Sequence, residues 1–99
     1  MTEKERLLSL LSAKPTTRLY LSVQMKVTER KIERLIGQLR DDGEPICSNS
    51  DVEGYWISTG ADLTRTIKEM EHRALSILER TRKMKERQLE GQKKWSLEN

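Results

Sequence analysis

Apolar positions divide the chain into three short periodic runs, two very short ones and one long one. Leu7, Leu8, Leu10 and Leu11 recur at one-face helical spacing behind Thr2-x-x-Glu5. That start is a capping box, in which the threonine hydroxyl and the glutamate carboxylate satisfy free amides of the first turn. A first helix is expected from about Thr2 to Ser12. Lys14-Pro15-Thr16-Thr17 interrupts it, because a proline biases the residue before it away from helical angles. Thr16 or Thr17 then caps a short second helix carrying Leu21 and Met25. Lys26-Val27 makes a turn, and Thr28 caps a third helix whose buried stripe is Ile32, Leu35, Ile36 and Leu39. Gly43 suits the left-handed position that commonly follows a helix.

Pro45-Ile46-Cys47-Ser48 and Gly54-Tyr55-Trp56-Ile57, separated by the polar Asn49–Glu53, read as a hairpin with a long tip. Strand alternation turns Tyr55 and Ile57 inward and Trp56 outward, where the last helix is expected to cover it. Asp62 then caps a final helix that runs without Gly or Pro to about Glu90. Leu63, Ile67, Met70, Ala74, Ile77, Thr81, Met84 and Gln88 alternate at spacings of four and three. This heptad seam is apolar for two repeats and then diluted. Leu75 and Leu78 widen the apolar face. Such a helix spans about 43 Å, longer than a globule of about 60 residues is wide, so its distal half projects, meets a partner or frays. The expected division is residues 1–60 and a helical extension, 61–99.

Three short helices followed by a hairpin make the order of a winged helix-turn-helix domain. The stretch Leu21-Ser22-Val23-Gln24-Met25-Lys26-Val27-Thr28-Glu29-Arg30-Lys31-Ile32 resembles the helix-turn-helix signature of bacterial winged-helix regulators of the biotin-repressor type. Leu39-Arg40-Asp41-Asp42-Gly43-Glu44-Pro45-Ile46 and Gly54-Tyr55-Trp56-Ile57 look like that family's recognition-helix end and wing. The resemblance covers roughly residues 5–58, and the small stand-alone size is also similar to phage or prophage-encoded proteins. Two residues depart from the pattern. Ser22 stands where Ala is usual, and Lys26 stands where a Gly commonly makes the turn, so a mildly strained backbone is expected at Lys26. The fold class implied is mainly α with a small β-hairpin, a winged helix-turn-helix plus a long C-terminal helix.

In that fold the third helix enters the major groove. The face opposite its apolar stripe presents Arg30, Arg34, Gly37 and Asp41, with Lys31 and Gln38 to one side and Glu29 and Glu33 to the other. Arginine or lysine can pair with guanine and glutamine with adenine, and Gly37 leaves room for close approach. Arg30, Lys31, Arg34 and Gln38 are therefore the candidate base readers, with Thr16, Thr17, Arg18 and Thr28 as phosphate-positioning groups. A solvated helix face is the competing reading. The tip Asn49, Ser50, Asp51 and Glu53 is neutral or acidic, unlike wings that bring Arg or Lys to phosphates. Leu63, Ile67, Met70, Ala74, Ile77 and Leu78 are the candidate dimerisation residues.

Composition narrows these alternatives. Of 99 residues, 35% are charged and 34% apolar, with no Phe, two Tyr and two Trp, so the core is thin. The net charge of +3 is a weak hint of an anionic partner until it is divided. Residues 1–61 hold nine basic and nine acidic side chains; residues 62–99 hold ten and seven. The excess sits in the extension, where Arg80, Arg82, Lys83, Lys85, Arg87, Lys93 and Lys94 form a basic run, either lying along phosphates or solvated. One Cys47 and one His72 supply neither a disulfide nor a zinc site. A Gly-rich phosphate loop, a paired-carboxylate arrangement and a Ser-His-Asp set are equally lacking, so the expectation is a non-enzyme without metal or cofactor. Met1–Arg6 does not read as a secretory signal, and no apolar run suits a membrane span; a cytoplasmic location is expected. The expected function is a small dimeric transcriptional regulator binding double-stranded DNA. The rival is a phage-type protein-interaction module, a replication adaptor or an inhibitor of host machinery.

Overall fold

The computed structural model describes residues 1–98, with side chains through residue 93. Lys94 and Trp95, noted above for charge and aromaticity, have side chains outside the described residues. The elements are α1 (Glu3–Leu10), α2 (Arg18–Met25), α3 (Glu29–Asp41), β1 (Ile46–Cys47), β2 (Trp56–Ile57) and α4 (Ala61–Glu98). This is the winged helix-turn-helix arrangement with a long C-terminal helix. Two compact units divide the chain, Met1–Ile67 and Lys68–Asn99.

Three threonines open the three short helices. The hydroxyls of Thr2, Thr17 and Thr28 accept hydrogen bonds from the amides of Glu5, Tyr20 and Lys31, each at 3.1 Å. At α1 the Thr2 hydroxyl also donates to Glu5 Oε1 at 3.0 Å. Thr17, and not Thr16, caps α2; Thr16 is drawn instead into a bridge with Tyr55. α1 stops at Leu10, short of Ser12, because Leu11 is extended. The turn between α2 and α3 carries the expected strain, with Lys26 left-handed at φ 55° and its amide reaching the carbonyls of Ser22 and Val23. α3 ends two residues before Gly43, in a paired C-terminal bond pattern. The Gly43 amide donates to the Arg40 carbonyl at 2.9 Å and the Glu44 amide to the Leu39 carbonyl at 3.0 Å. Gly43 supplies the positive φ, 92°, that this pattern requires.

Leu7, Leu11, Leu21, Met25, Ile32, Leu35, Ile36, Leu39 and Ile46 form the buried core, with Leu8, Leu10, Val27, Tyr55 and Ile57 packed against it. Each of the three short helices contributes one apolar face, and the hairpin closes the fourth side. β1 and β2 pair antiparallel, Ile46 opposite Ile57 and Cys47 opposite Trp56. Ile46 and Ile57 thus share the core face, and Cys47 and Trp56 share the other face, where both are buried. The indole N–H of Trp56 donates to Asp62 Oδ2 at 2.9 Å. Thr66, only 2% exposed, accepts from the Ser48 amide at 3.1 Å and lies 2.9 Å from the Ser48 carbonyl. The first turns of α4 therefore cover the outer side of the hairpin, as Trp56 required. The compact unit reaches Ile67 because of these contacts.

A third segment joins the hairpin. Thr16 and Tyr55 exchange both amide–carbonyl bonds at 2.9 Å. Gly54, at φ 111°, passes so close to this bridge that a Cβ there would stand 2.7 Å from the Thr16 carbonyl oxygen.

Candidate nucleic-acid interface

α3 has the sharpest segregation of apolar and polar residues in the winged unit. Burying Ile32, Leu35, Ile36 and Leu39 fixes its rotation, so Arg30, Arg34, Gly37 and Gln38 are exposed. A Cβ at Gly37 would meet nothing within 4 Å, which leaves the middle of this face open.

The cations of the winged unit divide into those with internal partners and those without. Lys4 pairs with Asp42 at 2.8 Å, and Lys31 with Glu3 at 3.2 Å. Arg6 donates to the Gln24 carbonyl at 3.2 Å. Arg18 bonds to Glu29 at 3.2 Å and also pairs with Glu33. Its guanidinium is held above its ordinary pKa, first by the Glu29 hydrogen bond and then by the Glu33 charge. Arg40 donates from Nε to the Ile46 carbonyl at 3.0 Å and from Nη2 to Ser48 Oγ at 3.1 Å, with its charge 5.8 Å from the Tyr55 ring centroid. Arg30 and Arg34 make no ion pair or hydrogen bond among the described residues. α3 thus presents two unneutralised guanidinium groups, four residues apart, on the face that burial turns outward.

The remaining sequence candidates fall into place around this face. Lys31 flanks it, with its charge shared with Glu3 of α1. Thr17 and Thr28 use a hydroxyl lone pair in capping and keep an O–H to donate. Thr16 is half-buried beside Gly54, its backbone committed to the bridge. Arg18 neutralises the acidic flank of α3, so the segregated helix charge becomes a basic face beside a paired one. At the wing tip, Asn49 Oδ1 accepts from the amides of Asp51 and Val52, each at 2.9 Å. Asp51 is paired by Arg65 at 2.6 Å, which removes part of the tip's acidic character.

Several contributors were not marked by the apolar pattern. Arg40 and Thr66 fix the hairpin through backbone carbonyls, which no side-chain periodicity reveals. Leu19, Tyr20 and Val23 lie exposed on one side of α2, at 61%, 52% and 62%; their i, i+1 and i+4 spacing was the available signal. In α4, Ile67, Met70, Ile77, Leu78 and Met84 are exposed, and Arg82 is bracketed by Glu79 at 2.6 Å and Glu86 at 2.5 Å.

Among the described residues, no group of three or more His, Cys, Asp or Glu is placed to hold a metal ion. No helix among them is long and apolar enough to cross a membrane. No family model, curated protein or solved structure matches the chain.

Proposed function

We propose that this chain is a non-catalytic, sequence-specific binder of double-stranded DNA, a small cytoplasmic transcriptional regulator that reads the major groove with α3 as a homodimer. The observation carrying this reading is the exposed α3 face, where Arg30 and Arg34 stand without internal partners beside an open Gly37. Two like charges four apart repel modestly on a helix, and a row of phosphates or a guanine edge relieves that repulsion. Arg30, Arg34 and Gln38 are the base readers; Lys31 contributes once its bond to Glu3 exchanges for a phosphate. Thr17 and Thr28 donate to the backbone at the helix N-termini. The resemblance to biotin-repressor-type regulators supports the same assignment.

Selection of bound sites from random duplexes at two salt concentrations tests it. A recovered motif, roughly palindromic, with affinity falling steeply as salt rises, is the expected result. Absence of duplex binding at low salt rejects it. One observation favours a second reading, a phage-type protein-interaction module: the exposed Leu19, Tyr20 and Val23 on α2 suit an apolar protein partner better than a phosphate backbone.

A further inference from the structure

One exposed residue on the outward face of α3 is opposite in sign to its neighbours there. Asp41 lies about two helical turns beyond Arg34 and about three beyond Arg30. At 3.6 residues per turn it leaves the helix midway between their two directions, within about 20° of each. It is the last residue of α3, and it is exposed. The next residue, Asp42, is neutralised by Lys4 at 2.8 Å. The Asp41 carboxylate makes no ion pair or hydrogen bond among the described residues.

Nothing in the fold favours a carboxylate at this position. The C-terminal end of a helix is the negative end of its dipole, where an acidic side chain is disfavoured. The one cation of that turn, Arg40, is bonded to the hairpin at the Ile46 carbonyl and at Ser48. The face that begins with two unneutralised guanidinium groups therefore ends in an unneutralised carboxylate, with the open Gly37 between them.

In a major groove the phosphates repel such a group, and the exocyclic amines of the bases attract it. Cytosine N4 is the amine that suits a carboxylate. Adenine N6 is flanked by acceptors on both sides, its own N7 and the thymine O4, whereas cytosine N4 has an acceptor neighbour on one side only, the guanine O6. Asp41 stands about 10 Å along α3 from Arg34, which is about three base steps of 3.4 Å.

We infer that Asp41 is a specificity-determining residue, accepting a hydrogen bond from the N4 amine of a cytosine about three base pairs from the guanine read by Arg34. This rests on the DNA reading of α3 and adds the base met by its C-terminal end. The same carboxylate disfavours docking of that end on phosphate, so general affinity is given up for discrimination.

Site selection from random duplexes with the full chain and its Asp41→Ala and Asp41→Asn variants tests this. The wild-type motif is expected to hold a cytosine column beside the guanine column, the latter identified by its loss in Arg34→Ala. Asp41→Ala should flatten the cytosine column alone and weaken binding to the wild-type site by about tenfold. Asp41→Asn should turn that column from cytosine to adenine, because an asparagine amide pairs with adenine N6 and N7. Both variants should melt at or above the wild-type temperature; a clear drop would give Asp41 a structural role and overturn the inference. A motif unchanged in both variants, with affinity unchanged or raised on every sequence alike, also overturns it and leaves the DNA reading standing. A wild-type chain that selects no motif rejects the DNA reading itself, and the inference with it.

Discussion

Gly43 and Gly54 both hold positive φ values, yet their surroundings differ. A Cβ at Gly43 meets nothing within 4 Å, whereas at Gly54 it meets the Thr16 backbone, oxygen at 2.7 Å and carbon at 2.9 Å. Backbone cannot swing aside as a flexible side chain can. Gly54→Ala is therefore expected to destabilise the winged unit by about 1–3 kcal/mol and to lower Tm by at least about 4 °C. Gly43→Ala, strained by φ alone, should cost less, and thermal melts giving the reverse order would disprove this account. Lys26 is the opposite case, a side chain where a glycine fits better. Lys26→Gly relieves the left-handed strain at some cost in chain entropy, for a net gain of about 0.5–1 kcal/mol by denaturant titration. Arg34→Ala should weaken specific DNA binding by about 1–3 kcal/mol and relax the preference at one base position; unchanged affinity on a selected site removes it from the readers. The need for Gly54 was legible only as part of the Gly-Tyr-x-Ile pattern, because the atom it avoids belongs to Thr16, remote in the chain.

At the scale of elements, what the chain displayed openly was apolar periodicity. The third helix was visible because four core residues fix its rotation, and rotation in turn decides that Arg30 and Arg34 face outward. The hairpin was visible from its two short runs, although its paired strands shrink to two residues each. The polar fastenings were hidden. Arg18, the candidate phosphate group of α2, bridges α2 to the acidic flank of α3 through Glu29 and Glu33. Glu33→Gln loosens that bridge and frees charge beside the reading face. The slope of log affinity against log salt should then steepen by up to about one phosphate contact, and an unchanged slope would show that Arg18 stays with Glu29. The last helix continues through Gly91 to Glu98, past its expected end near Glu90. A lone glycine costs a helix only about 1 kcal/mol, and the Gln, Lys, Leu and Glu around it favour helix.

For the whole molecule, the place where the winged unit ends has an experimental signature. Asp62 and Thr66 hold the outer face of the hairpin, so a chain cut after Gly60 loses the cover of Trp56, and a chain cut after Ile67 keeps it. Both fragments lack Trp95, which leaves Trp56 as the sole indole. The 1–67 fragment is expected to show blue-shifted emission and a cooperative melt. The 1–60 fragment should emit further to the red and melt several degrees lower. Identical spectra would mean that the Trp56–Asp62 bond contributes little. This boundary could not be read from composition, because the residues that set it are a threonine and an aspartate within a charged helix. The charge division, by contrast, was fully legible: a neutral winged unit followed by a basic extension. Internal pairing then determines which cations of the neutral unit remain available.

The bridge between Thr16 and Tyr55 has a kinetic meaning as well. It ties the segment before α2 to the second strand across nearly the whole helix-turn-helix, a contact of long sequence separation that is entropically costly to close before α2 and α3 are in place. Its two reciprocal bonds break together, because displacing either segment removes both. In native-state hydrogen exchange, the amides of Thr16 and Tyr55 should exchange together, at the slow rate of the core helices. The Asp51 and Val52 amides, bonded only to Asn49 at the exposed tip, should exchange orders of magnitude faster.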